Sequence, residues 1–281
     1  MILKFNNQWL KTPTHVLGYQ EDPYNPLGLP PLTIRLRYDK DFILDTNDGY
    51  QRTLVDAEQN IWDVYQPNVR EWYGSMIGEG TYHGYHAYGS NHLLEVLGAN
   101  TTGVEVMYLF MYCNKLQTLP LFDTSSVELL TGCFYQCSSM QYLPLYDFSK
   151  VTRFTETFWG CNVSLMPSFN TSSATLMDGV FALTDIEEMP DIDTSNVTNI
   201  DYMYFNANIL KRIKQFNVSK VTSCYQAFAG CVNVESGILD MYNALAALGD
   251  QITDHRRAFS DCGSNTTTGA AELAQIPDDW K

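Results

Sequence analysis

At 281 residues and 45% hydrophobic content, the chain is long enough to bury a core without disulfides or a structural metal. Its 17 Lys and Arg against 32 Asp and Glu give a net charge of −15, which argues against binding a nucleic-acid backbone or an anionic lipid surface. Charged residues make up only 17%, so uncharged polar groups and tyrosines must carry much of the surface.

The first residues, Met1 to Trp9, include Asn6, Asn7 and Gln8, which interrupt any apolar stretch, so no signal peptide is expected. No apolar run reaches the roughly 18–20 residues that span a bilayer. Pro23-Tyr24-Asn25-Pro26 and Gly28-Leu29-Pro30-Pro31 predict turns or extended chain. Residues 33–38 alternate apolar and polar and predict a strand, and 61–65 predict another. Residues 1–98 do not repeat. With Trp9, Trp62 and Trp72 they are expected to form a small β-rich capping or attachment domain.

Tyr82, His83, Tyr85, His86 and Tyr88, followed by His92, lie among glycines and suggest a loop. Three readings stand for it: a metal site, an aromatic ligand-contact loop, or packing under the N-terminal cap. The ligand-contact reading makes Tyr82, His83, Tyr85, His86 and Tyr88 the candidate site residues. No metal, cofactor or catalytic residue is assigned. There is no Gly-x-Ser-x-Gly, His-Glu-x-x-His or phosphate-cradling glycine loop.

Beyond residue 98 the chain repeats. Cys113, Cys137 and Cys161 each follow a phenylalanine by three positions, namely Phe110, Phe134 and Phe158. The phenylalanine register continues at Phe181, Phe205, Phe228 and Phe259, with Cys231 and Cys262 again three residues on. In the two middle units that slot reads Thr184 and Asn208. A Leu-Pro element recurs at 119–120, 143–144, 166–167 and 189–190, with Ile213-Lys214 as its last form. An Asp-Thr-Ser element recurs from Asp123 to Ser219, followed by Val127, Val151, Ala174, Val197 and Val221. A period of 23–24 residues falls in the range of leucine-rich repeats.

Within a unit, Leu116, Leu119 and Leu121 predict a short strand. Asp123-Thr124-Ser125 predicts a helix cap, and Val127, Leu130 and Phe134 fall on one face of a helix or helical turn. Each unit therefore predicts strand, turn and short helix. Such units bury their apolar sides only by stacking, with strands side by side in a parallel sheet. The fold class expected is an α/β solenoid. The repeated cysteines are expected to form a ladder in its core, without a redox or zinc role.

The pattern Phe-x-x-Cys-x-x-Leu-x-x-Leu-Pro-Leu-Phe-Asp-Thr-Ser-x-Val at 110–127 resembles the BspA-like leucine-rich repeats of gut and oral bacteria, mycoplasmas and phages of gut Bacteroidetes. The resemblance covers about 100–235, and the later units depart from it in lacking the cysteine and in Lys214. It implies a non-enzymatic recognition or adhesion protein at a virion or extracellular surface, in particular a phage tail or head appendage. The partners implied are a host surface protein or glycan, or other virion subunits, with no nucleic acid and no membrane insertion. A structural virion subunit and a bacterial cell-surface adhesin are the alternatives.

After the repeats, 238–249 predicts an amphipathic helix with a glycine stop, which accounts for the long step to Phe259. Residues 236–281 are thus expected to hold a degenerate last repeat and a C-terminal cap that includes Pro277 and Trp280.

Overall fold

The computed structural model describes residues 110–281, except 122, 141 and 165, together with Met107 and the backbone of eight earlier strands. These are β1 (Ile2–Lys4), β2 (Leu32–Tyr38), β3 (Phe42–Thr46), β4 (Tyr50–Leu54), β5 (Ile61–Gln66), β6 (Glu71–Ile77), β7 (Leu93–Asn100) and β8 (Val106–Tyr108). One sheet has the order β1-β5-β2-β7, with antiparallel pairs throughout. The alternating segment 33–38 lies in β2, and 61–65 lies in β5. The other sheet has the order β4-β3-β6-β8, and its last pair is parallel. β8 leads into the repeats, where the Met107 N–H donates to the Leu129 carbonyl at 3.0 Å.

From Phe110 onward, successive units lie on one another as coils. Single-residue parallel bridges join Leu129, Arg153, Leu176, Asn199, Ser223 and Asp254 in one row, and Glu188, Arg212 and Ser236 in another. Apolar residues of each coil point inward and meet their counterparts one coil away. Val127, Val151, Ala174, Val197 and Val221 are all fully buried.

Turns replace the expected helices. In one coil the N–H groups of Leu130, Gly132, Phe134 and Gln136 donate to Arg153, Thr155, Thr157 and Trp159 of the next coil. The alternate N–H groups of Cys133, Tyr135 and Cys137 close local turns onto the carbonyls three residues back. No i→i−4 ladder can form when every second donor is committed to a neighbouring coil. Gly132 and Gln136 also have φ of 60° and 59°, a left-handed conformation that ends any α-helix. The same residues are buried as on the expected helix face, because a chain of turns repeats at nearly the same spacing.

The Asp-Thr-Ser element is likewise a turn and not a helix cap. The Asp193 side chain accepts from the Ser195 N–H at 2.8 Å, and Asp147, Asn170 and Asn217 accept in the same way from their serines. The middle residue points inward. Thr124, Thr171 and Thr194 donate to the carbonyls of Asp147, Asp193 and Asn217 on the following coil, at 2.7–2.8 Å. Phe148 and Val218 fill that slot with apolar groups. Leu121, expected in a buried strand, is 69% exposed.

A column of aromatic rings runs through the core. Phe110, Phe134, Phe158 and Phe181 stack at centroid distances of 5.8, 5.5 and 5.9 Å with interplanar angles under 10°. The next ring is Tyr204 and not Phe205. Tyr204 stacks on Phe181 at 5.2 Å and on Phe228 at 5.7 Å, whereas Phe205 faces outward. The slot three residues on is consequently Ala207, fully buried, and not Asn208. Phe259 continues the column at 5.5 Å from Phe228.

Beside the rings runs the sulfur column. Cys137, Cys161 and Cys231 donate Sγ–H to the carbonyls of Phe110, Phe134 and Tyr204 on the preceding coil, at 2.9, 2.7 and 3.0 Å. Thr184 keeps its hydroxyl satisfied on the Phe181 carbonyl. All seven cysteines are buried.

The tyrosine in the column is poorly suited to its place. Its hydroxyl is fully buried without a hydrogen-bond partner among the described residues. Tyr204→Phe should therefore stabilise the protein by about 1–2 kcal/mol, by removing a desolvated donor. A thermal melt checks this. The midpoint should rise, and a fall would mean that the hydroxyl has a partner in solution.

The far end of the stack is closed by the C-terminal residues. α1 (Ile238–Ala246) buries Ile238, Met241 and Leu245. Its first N–H groups, from Ile238 and Leu239, donate to the Glu272 carboxylate on α2 (Thr267–Leu273) at 2.8 and 3.1 Å. Trp280 lies against Phe259 at 6.4 Å and His255 at 4.3 Å, and its carbonyl accepts from the Phe259 N–H at 2.9 Å. That carbonyl stands where the next coil would supply its own, so the final edge is paired at Phe259.

Candidate functional surface

The loop residues Tyr82, His83, Tyr85, His86 and Tyr88 lie outside the described residues. Within them, a different feature gathers functional side chains. Around the buried core rings, certain neighbouring positions on the same coils are exposed or only partly buried and carry aromatic side chains. On successive coils they bring together Tyr112, Tyr135, Trp159, Tyr202, Phe205 and Tyr225.

Contacts between these rings are continuous. Tyr112 meets Tyr135 at 5.2 Å, and Tyr135 stacks on Trp159 at 6.0 Å. Trp159 reaches both Tyr202 and Phe205 at 6.3 Å, crossing a coil that carries no ring of its own. That coil offers Ala182 and Gly179 in the corresponding places. A Cβ on Gly179 would lie 2.8 Å from the indole Cε3, so the missing side chain is what lets the indole lie flat there. Tyr202 then meets Tyr225 edge to face at 5.1 Å. Arg256 lies over the Tyr225 ring at 5.3 Å and closes the strip.

Carboxylates line the strip. Asp201 accepts from the Ser223 hydroxyl at 2.6 Å and the Tyr225 N–H at 2.7 Å. Asp254 holds Arg256 through Nε at 3.0 Å and Nη2 at 2.7 Å. Glu156 lies beside Trp159 over Gly179, and Asp178 accepts from the Thr155 hydroxyl at 2.9 Å. Partial burial raises the Glu156 carboxyl above its ordinary range, and the neighbouring Asp178 charge adds to this. Burial is also the main cause that pushes Tyr135 up to about 12, with Tyr112 and Glu156 contributing.

The Glu156 shift makes a pH prediction. A carboxyl whose folded pKa exceeds its unfolded value of 4.5 binds protons more readily in the native state. Stability is then lost as pH rises from 4.5 through the raised folded value. Glu156→Gln should melt at a higher temperature than the parent at neutral pH, and the gap should close on acidification. Melts across a pH series decide it, and a gap that widens on acidification would contradict the assigned cause.

Three of the buried sulfurs are held in the thiol form. Burial pushes the Cys137 and Cys262 thiols well above their ordinary value and Cys224 up to about 12. The thiolate is the reactive form, so burial disfavours reactivity at these three positions. Among the described residues there is no cluster of His, Cys, Asp and Glu placed to hold a metal, and no helix is long and apolar enough to cross a membrane.

The strip was not singled out from the sequence. Its rings come from different offsets within the repeat, so no single column of aligned positions contains them. A signal was present in the aromatic residue directly after the core ring at Tyr135, Trp159 and Phe205, together with the glycine at 179.

No curated protein and no solved structure matches the chain. One family matches in three overlapping segments, 102–184, 130–242 and 178–262, which together span more than half of the residues. The matched segments take in the coils that carry both the ring column and the strip, and the chain belongs to the family described as Mycoplasma protein of unknown function, DUF285.

Proposed function

We propose that the chain is a leucine-rich-repeat-like solenoid of the BspA-like type and acts as a non-catalytic recognition protein, displayed on a virion or another extracellular surface. The observation that carries this reading is the unbroken outer strip from Tyr112 to Arg256. Tyr, Trp and Arg dominate binding hot spots, because they bury large areas at small entropic cost and keep a polar handle. A rigid stack of coils holds them in place before any partner arrives, which lowers the ordering cost of binding. The repeat pattern at 110–127 supports the BspA-like assignment, and the family match is consistent with it.

The test is adhesion of the fluorescently labelled protein to intact cells of gut Bacteroidetes. Trp159→Ala/Tyr202→Ala should reduce bound protein at least about tenfold, since each lost hot-spot residue costs on the order of 2 kcal/mol. The circular dichroism spectrum should stay unchanged. Binding that survives the double variant, or no binding by the parent protein, would overturn the reading.

A further inference from the structure

At one end of the strip a cation is already seated against a ring and a carboxylate. There the chain lays its own guanidinium, Arg256, on the Tyr225 ring and anchors it to Asp254 through two nitrogens. A ring and a carboxylate together take a cation. The same pairing recurs three coils earlier with no cation in it. Trp159 and Tyr135 form the aromatic wall, and Glu156 and Asp178 stand beside it on adjacent coils. Neither carboxylate is ion-paired among the described residues, where the ion pairs are those of Lys214, His255, Arg256 and Lys281.

Two partly buried carboxylates next to each other repel, and a cation between them would relieve that repulsion and regain what burial has cost. A neutral sugar supplies no such charge. The strip is also elongated across coils, so its occupant must be extended as well. The net charge of −15 would steer a basic chain toward the protein before contact.

Building on the recognition reading above, we propose that the strip binds an extended basic segment of a partner protein, with an arginine or lysine side chain seated between Glu156, Asp178 and the indole of Trp159. The seat differs from a general acidic surface in its aromatic wall, which excludes water from one side of the ion pair and strengthens it. Arginine suits it better than lysine, because a planar guanidinium can bond both carboxylates while resting against a ring.

The probe is a fluorescein-labelled peptide of alternating Arg and Ser, titrated against the full chain at physiological ionic strength and read by anisotropy. Its counterpart with citrulline in place of arginine keeps the shape and loses the charge. The arginine peptide should bind and the citrulline peptide should bind at least about tenfold more weakly. Glu156→Gln/Asp178→Asn should lose about tenfold in affinity. Asp185→Asn/Glu187→Gln, an equal change of charge at exposed positions off the strip, should lose less than about twofold. Equal losses in the two double variants would reduce the binding to general charge attraction and overturn the proposal, as would equal binding of both peptides. If neither peptide binds while Trp159→Ala/Tyr202→Ala still abolishes adhesion to cells, this proposal falls and the recognition reading stands. If that variant adheres normally, the reading itself fails.

Discussion

Phe158→Ala should destabilise the protein by about 3–5 kcal/mol, the range for truncating a buried phenylalanine. The ring is 1% exposed and lies mid-column, stacked on Phe134 at 5.5 Å and Phe181 at 5.9 Å, with Phe169 at 6.1 Å to one side. Its loss leaves a void that rigid neighbours on both sides cannot collapse into. A stack of repeats is stabilised by contacts between adjacent units, so a fault in the middle uncouples the coils on either side. Urea unfolding followed by circular dichroism should show a lower midpoint and a broader transition than the parent. The same change at outward-facing Phe205 should cost much less, although both residues look alike in the sequence. A loss under about 1 kcal/mol at Phe158 would contradict the column as described.

Gly237→Ala should be about as damaging, at about 3–5 kcal/mol, for a different reason. Gly237 precedes α1 with φ 91° and ψ 1°, which an L side chain rarely adopts. An added Cβ would overlap the backbone carbonyl oxygen of Ile213, which cannot rotate away. The entry into α1 would have to shift, and with it Ile238, fully buried in the core. Gly249 provides the comparison. Its φ is 55°, yet a Cβ there meets nothing within 4 Å. Alanine at 249 should cost only the backbone strain, about 1 kcal/mol. Thermal melts of the two variants separate steric overlap from strain, and similar losses at both sites would contradict the close approach at Gly237.

The repeat period, the buried valine column and the place of the cysteines were legible because each rests on one residue type at one offset. What the coils look like inside was less so. A helix and a chain of turns bury the same residues at Val127, Leu130 and Phe134, and it is the N–H groups given to the next coil and the left-handed residues at 132 and 136 that tell them apart. Asp-Thr-Ser opens an Asx turn with the same hydrogen bond that would start a helix cap, so local chemistry could not choose between them. Tyr204 was missed because Phe205 beside it fits the phenylalanine pattern one residue out of step. The structure decides by burial and stacking. Of the surface strip almost nothing was legible, since its contacts arise between coils and not within any one of them.

Site-specific photo-crosslinking decides whether the strip is the binding face. A photoreactive phenylalanine analogue placed at Phe205, on the strip, is compared with one at Leu145, which is 64% exposed in the Leu-Pro segment away from it. Irradiated on Bacteroidetes cells, the protein labelled at 205 should form a covalent adduct with a cell-surface component, and the protein labelled at 145 should form none. Adducts from 145 with none from 205 would place recognition on another face and rule out the strip.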